Sequence, residues 1–366
     1  MVILPFAIAG AVIASNNHGA SHRRVPANRG KRMFSLALRP RVRAAATVFA
    51  AAAALVLAGH AASAQSWPQR PVNLIVPFPA GGGTDAFARP LAAQLEIQLK
   101  QRFLVDNRGG AGGTIGASAA AKAEPNGYTF LVGAAHHTIA PGLYPKLDYD
   151  IEKDFVPVAV IAMPPQVIVV NPAKVQAKTL AELIAHAKAN PGKINYASAG
   201  IGTTHQTAGE LFKILTGTNL NHVPYRGAGP AMQDLVAGHV DMMFDGLGSS
   251  ANQIQSGALR ALAVAASSRS PAIPDVPTSA EAGLNGFEVS TWYAIFAPKG
   301  TPNEIVEQVT AEIRKAFDAD AIKEAWKKNG SPIPNLTGAE FGKFVSAEVA
   351  RWGKVVKDAG IKIETQ

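Results

Sequence analysis

From residue 67 onward the hydrophobic positions follow two rhythms. Short apolar runs of strand length fall at residues 72–76, 103–107, 128–132, 156–162, 167–171, 195–199, 242–245, 260–265 and 289–297. Between them, apolar residues recur at the helical period over residues 85–101, 114–123, 180–190, 204–216, 230–237, 302–317, 321–329 and 339–358. Strands that alternate with helices predict an α/β fold of mostly parallel sheets with helices on both faces. Several helix starts are marked as well. Thr179, Thr278 and Thr337 each stand three positions before a glutamate, the spacing of a capping box. Thr301 followed by Pro302 suits an N-cap and a first helical residue.

Two proline-bounded extended stretches, IAMPPQVIVVNP (161–172) and EVSTWYAIFAP (288–298), read as passages between two bodies. If both cross over, residues 67–165 plus 293–366 form lobe 1 and residues 166–292 form lobe 2. That is a hinged two-lobed clamshell, with its ligand held between lobes at the carboxyl ends of strands. A single continuous α/β domain is the alternative that the pattern leaves open.

The first 64 residues have a different character. An apolar run, AAATVFAAAAALVLA (44–58), follows Arg39, Arg41 and Arg43 and precedes Ala62, Ser63 and Ala64. A basic segment, a short apolar core and an A-x-A ending describe a secretory signal peptide. Cleavage is expected after Ala64, leaving Gln65 as the mature start and the periplasm as the destination. An uncleaved anchor is the competing reading. Met33 suits such a leader as initiator, which would make residues 1–32 an upstream extension.

That leader changes how the charge reads. Residues 1–64 hold eight Lys+Arg and no acidic residue, leaving 27 of the 35 basic residues against all 26 acidic ones. A mature chain near neutrality gives no support for nucleic-acid binding. With no cysteine, disulfides, thiolate catalysis and thiolate metal sites are excluded.

Chemistry concentrates in glycine-rich turns between strands and helices. The turn PFPAGGGTD (77–85) puts three glycines directly ahead of a helix. Its bare backbone, unpaired first amides and positive dipole end would attract a small anion. No Lys-Ser or Lys-Thr follows, so a nucleotide P-loop is not indicated. A second cluster, RGGAGGTIG (108–116), has Ile115 where a dinucleotide fingerprint needs glycine, and tight turning explains it better than ligand contact. A third, SAGIGTTH (198–205), repeats the strand–glycine–helix form in the other lobe, where Thr203 and Thr204 suit either ligand contact or helix capping. Arg226, in HVPYRGAGP (222–230), suits a bidentate clamp on a carboxylate or an ion pair with a nearby aspartate. Tyr225 could form a wall with a hydroxyl, or simply pack. Asp245 closes an apolar strand, where it could meet the cleft, face a helix N-terminus or orient Arg226.

Catalytic and metal templates fit poorly. No G-x-S-x-G elbow occurs. His136 and His137 are adjacent rather than spaced as helical metal ligands, and His205 and His222 lack partners at a metal spacing. No catalytic residue, metal or cofactor is expected, and the chain is read as a binding protein.

Five motifs in order carry a family resemblance: PVNLIVPFPAGGGTD (71–85), DNRGGAGG (106–113), AGIGT (199–203), VPYRG (223–227) and FAPKGTP (296–302). Together they resemble the periplasmic substrate-binding proteins of tripartite tricarboxylate transporters, the Bug family, over essentially all of residues 66–366. The resemblance implies a monomeric, two-lobed type II periplasmic-binding fold, a Venus flytrap, that delivers a small carboxylate to a membrane complex of one large and one small subunit. It also implies that Phe78, Pro79, Ala80, Gly81, Gly82, Gly83, Thr84 and Asp85 hold a ligand carboxylate. Thr203 with its neighbours Gly200 and Gly202 would meet it from the other lobe, and Asp245 would sit at the cleft edge. Two departures stand beside that pocket. His136, next to His137, fills a position where the family often has threonine, and Gln206 stands where a histidine commonly opens the helix, with His205 one place earlier. A periplasmic sensor module for a signalling partner is the alternative function, because it would need the same cleft.

Overall fold

The computed structural model describes residues 67–358, so the leader and its expected cleavage site lie outside the described residues. Ten strands form two five-stranded sheets. The first, in the order β2-β1-β3-β10-β4, holds β1 (Val72–Val76), β2 (Phe103–Asn107), β3 (Thr129–Ala134), β4 (Phe155–Ala162) and β10 (Tyr293–Pro298). The second, in the order β7-β6-β8-β5-β9, holds β5 (Gln166–Val170), β6 (Asn195–Ser198), β7 (Asn221–Pro224), β8 (Met242–Gly246) and β9 (Arg260–Val264).

The two sheets share one plan. In the first, β1 lies parallel to β2 and β3, while β10 runs antiparallel between β3 and β4. In the second, β6 lies parallel to β7 and β8, while β5 runs antiparallel between β8 and β9. The inserted strand is in each case the one that arrives from the other sheet. The sheets are therefore mixed: four strands of each share a direction, with one reversed strand among them.

Residues 163–165 carry the chain out of the first sheet, and the approach to β10 carries it back. The two crossings lie side by side, joined by an antiparallel bridge between Pro165 and Ser290 and by the bond from Thr291 N–H to the Pro164 carbonyl (3.2 Å). Strand β10 begins at Tyr293, because residues before it pair with the outgoing crossing rather than with the sheet.

Both faces of each sheet are covered, which explains near-continuous apolar runs in the strands. On the first sheet, Leu74 and Val76 face α1 (Gly83–Leu99), α8 (Asn303–Asp318) and α9 (Asp320–Lys328). Ile75 faces the opposite way, with α2 (Thr114–Ala121) and α10 (Gly338–Asp358). On the second sheet, Ile168 and Val170 pack with α4 (Leu180–Ala189) and α5 (Thr204–Thr216). Val167 and Val169 pack with α6 (Ala228–Ala237) and α7 (Leu247–Gln255).

Three elements have weak sequence signals. Strand β7, NHVP, is a partly exposed edge strand. The eight-residue α3 (His136–Leu143) contains Pro141, and α7 opens with Leu-Gly-Ser-Ser, so neither shows a sustained apolar period. The capping marks also divide. Thr179 caps α4 by accepting from Glu182 N–H (3.2 Å). Thr278 and Glu281 exchange both bonds, 2.8 Å and 3.1 Å, but around a turn rather than a helix. Thr337 instead accepts from Arg314 (2.6 Å), and Pro302 is itself the N-cap of α8.

Candidate functional site

The carboxyl ends of β1, β3, β6 and β7 each lead into a helix, and those four helix starts converge on one cleft. Gly82 precedes α1, Ala135 precedes α3, Thr203 precedes α5 and Gly227 precedes α6; none of these N-caps makes a side-chain capping bond. The lining comes from Phe78, Gly82, Gly83, Thr84 and His136 on the first sheet's side. Ala199, Thr203, Thr204, His205 and Ala228 face them from the second, with Thr291 and Tyr293 beside the crossing. No Asp, Glu, Lys or Arg is among the described lining residues. Four dipole ends with unspent first amides therefore face a space without a fixed charge, a setting that favours an anion.

The glycines of the first turn have separate reasons. Gly81 sits at φ +84°, in the left-handed region that suits glycine. At Gly83 a Cβ would collide with the Tyr293 hydroxyl, so only a bare Cα lets that ring close over the turn. Asp85 braces the turn from behind. It accepts from Gly81 N–H (3.1 Å), Arg89 Nε (2.8 Å) and Asn107 Nδ2 (3.1 Å), and Asn107 also donates to the Phe78 carbonyl (2.9 Å).

The facing turn is held in the same manner. Thr203 donates its hydroxyl to the Gly200 carbonyl (2.7 Å), leaving its lone pairs free, and Gly202 N–H donates to Gln206 (2.7 Å). Gln206 thus shapes the loop. Ser198 and His222 lie 2.6 Å apart, and His222 stacks on Tyr196, so this pair also belongs to the loop's frame.

Burial disfavours the charged forms of the histidines and of Asp245 around the cleft. Desolvation holds His136 well below the ordinary histidine range, helped by the neighbouring His137 and His205. The same cause lowers His137 and His205 to about 4. His205 accepts from Ala199 N–H at Nδ1 (3.3 Å), which leaves Nε2–H directed toward Asp245, 3.8 Å away. Asp245 is fully buried; desolvation raises it to about 7 against the opposing hydroxyls of Ser249 and Ser250 and the Gly246 amide.

The expected site residues separate into three groups. Phe78, Gly82, Gly83, Thr84, His136, Thr203 and Thr204 line the cleft together. Asp85, His137, Gly200, Gly202 and Asp245 stand behind that lining. Pro79, Ala80 and Gly81 form a lip against the facing loop, with Pro79 over Gly227 and Ala80 over Gly229. Two residues depart from their expected contacts. Tyr225 donates to Asp234 (2.6 Å) outside the lining, and Arg226 is exposed, with neither a place in the lining nor an ion pair among the described residues. Ala199, His205, Ala228, Thr291 and Tyr293 line the cleft without having been singled out for it. Only His205 carried a usable signal, since it opens α5 immediately after the two threonines.

The free space in the cleft is small, about 30 Å³. A larger groove of about 990 Å³ lies on the other side of the crossing, between α5 and α10. Its walls mix Lys323, Lys327 and Arg351 with Glu210 and Glu348, and none of the four convergent helix starts reaches it.

Comparison with known proteins agrees with this geometry. The sequence profile described as "Tripartite tricarboxylate transporter family receptor" matches residues 87–361. BugT of Bordetella pertussis is 40% identical over 314 residues, covering 85% of this chain and 96% of BugT. The structure of Rpa4515 from R. palustris with adipate is 37% identical, with a TM-score of 0.78, covering 81% of this chain and all of that one. MatC from Rhodopseudomonas palustris with bound malate is 36% identical, with a TM-score of 0.74, covering 79% of this chain and all of that one. With the two mixed sheets, the convergent helix starts and these matches in hand, the chain belongs to the tripartite tricarboxylate transporter receptor family of solute-binding proteins.

Proposed function

We propose that this protein captures a small carboxylate in the cleft between its two sheets and delivers it to a tripartite tricarboxylate-type membrane transporter. The observation that carries this reading is the convergence of four uncapped helix starts on a lining without charged side chains. A carboxylate there accepts hydrogen bonds from first-turn amides of α1 and α5, and the helix dipoles compensate its charge. The bound adipate and malate of two structural neighbours support the same ligand class.

The lobes of this reading are residues 67–165 plus 293–366 and residues 166–292, hinged at the paired crossings. A ligand enclosed between two bodies needs an open state to enter, so the cleft widens to load it. The protein acts as a monomer in the periplasm after cleavage near Ala64, handing its ligand to a large and a small membrane subunit. Members of this family are periplasmic binding proteins.

A thermal-shift screen of the processed protein against small mono-, di- and tricarboxylates tests the assignment. A native-state ligand raises stability by RT ln(1 + [L]/Kd), so a binding acid raises the melting temperature in proportion to the logarithm of its concentration. No shift with any carboxylate at millimolar concentration would overturn the reading.

A further inference from the structure

We infer that His136 determines specificity: its imidazole makes the hydrogen bond to the ligand's second polar group, the one distant from the carboxylate at residues 82–84. This rests on the reading of the cleft as a carboxylate site. His136 lines the cleft at 7% exposure, yet its Nε2 is buried with no hydrogen-bond partner among the described residues. That nitrogen lies beside Gly113, against which the cleft-lining Phe78 also packs, and buried polar atoms in folded proteins nearly always have partners, so the His136 ring keeps hydrogen-bonding capacity to offer a ligand.

The surroundings fix the ring and commit its neighbours elsewhere. The edge of Phe78 meets it at 4.4 Å between centroids and 87°, and the His137 ring lies against it at 4.2 Å. His137 uses Nδ1 on the Ala134 amide (3.0 Å). His205, across the cleft, is committed to Ala199 and directed toward Asp245. Tyr293 closes over Gly83 beside the crossing. Of these neighbours, His137 also keeps a buried Nε2 without a partner, but it does not line the cleft.

The chemistry of the second group follows from what the lining lacks. No ionised carboxylate lines the cleft, and Asp245 stands behind His205 in a setting that favours its neutral form. A buried ammonium would have no counter-charge there, which is costly. A neutral imidazole N–H suits an oxygen acceptor. The ligand class is accordingly a small hydroxy, oxo or dicarboxylic acid rather than an amino acid.

Calorimetric titration with malate, adipate, butyrate and aspartate tests this, using wild type, His136→Phe and His136→Gln. The expected result is at least tenfold weaker binding of malate or adipate to H136F, with butyrate changed less than twofold and H136Q retaining most of the affinity. Aspartate, which is malate with an ammonium in place of the hydroxyl, should bind wild type at least tenfold more weakly than malate. Should H136F fail to fold, His136→Ala gives the same readout with a smaller side chain. If wild type binds these acids and neither H136F nor H136A loses affinity for malate or adipate, this inference is overturned while the carboxylate reading stands. Aspartate binding as tightly as malate overturns the ligand class. Wild type that binds none of the acids overturns both.

Discussion

Gly229, in the first turn of α6, lies directly against the carbonyl oxygen of Ala80, so that a methyl group at Gly229 would collide with that backbone atom. The two residues belong to different sheets and meet at the lip of the cleft, outside its lining. Alanine is the best helix former, so Gly229→Ala should leave α6 intact. It should instead wedge the lip open. We expect roughly tenfold weaker carboxylate binding, about 1.4 kcal/mol of lost closure, with little change in the melting temperature without ligand. Small-angle scattering should show a larger radius for the liganded variant than for liganded wild type. Unchanged affinity and radius would mean that the lip does not need to close this far.

At the proposed anion site, Gly82→Val should weaken binding more than folding. Gly82 has φ −87°, a conformation any residue adopts, so backbone strain is not the cause. Its Cβ would lie 3.3 Å from the Cβ of Ala228 on the facing side, in the space where a carboxylate meets the amides. Loss of a charge-assisted hydrogen bond costs about 1.5–3 kcal/mol, or roughly ten- to hundredfold in Kd. Gly110→Val is the control: φ is +133° there and a Cβ would approach Ile115 to 2.6 Å. That variant should melt earlier while the folded fraction keeps its affinity. Equal affinity of G82V and wild type would remove residues 82–84 from the site.

The contrast between those glycines shows what the sequence could and could not reveal. Strand–helix alternation made the fold legible, and the PFPAGGGTD turn pointed to the loop that lines the cleft, because burial patterns and missing side chains are written locally. Arg226 shows the limit of a local reading: a cation on a glycine-flanked turn suggests an anion clamp, but only the fold shows that it is exposed and outside the described lining. Tyr293 was hidden inside an apolar run that served equally well as a buried strand. Its role depends on Gly83, more than 200 residues earlier in the chain, and only the tertiary fold joins them.

Stability should depend on pH in two opposing ways. His137, His205 and His222 are each lowered to about 4 by burial, from an ordinary value near 6.5. The unfolded chain therefore binds more protons across that window, and stability is lost as pH falls from about 6.5 toward 4. Asp245, raised to about 7, works in the other direction: its contribution is present at low pH and lost as pH rises toward 7. Three histidines outweigh one aspartate, so the melting temperature should rise from pH 4 to pH 6.5. Asp245→Asn should steepen that rise and raise the melting temperature at pH 8, by roughly 2–4 °C per kcal/mol gained. A flat profile from pH 4 to 6.5 would contradict the buried neutral histidines.

Arg226 has a different consequence. It is exposed on the loop whose next residue, Gly227, packs under Pro79 at the lip, and it forms no ion pair among the described residues. A cation at the mouth of an otherwise uncharged cleft attracts anions before contact without holding them afterwards. Arg226→Ala should therefore slow carboxylate association by roughly two- to fivefold at low salt, leaving dissociation unchanged. The difference should vanish near 1 M salt, where the screening length falls to about 3 Å. Stopped-flow measurements of both rates across ionic strength decide the matter. A faster dissociation at every salt concentration would instead place the guanidinium on the bound ligand, as the clamp that its sequence setting suggested.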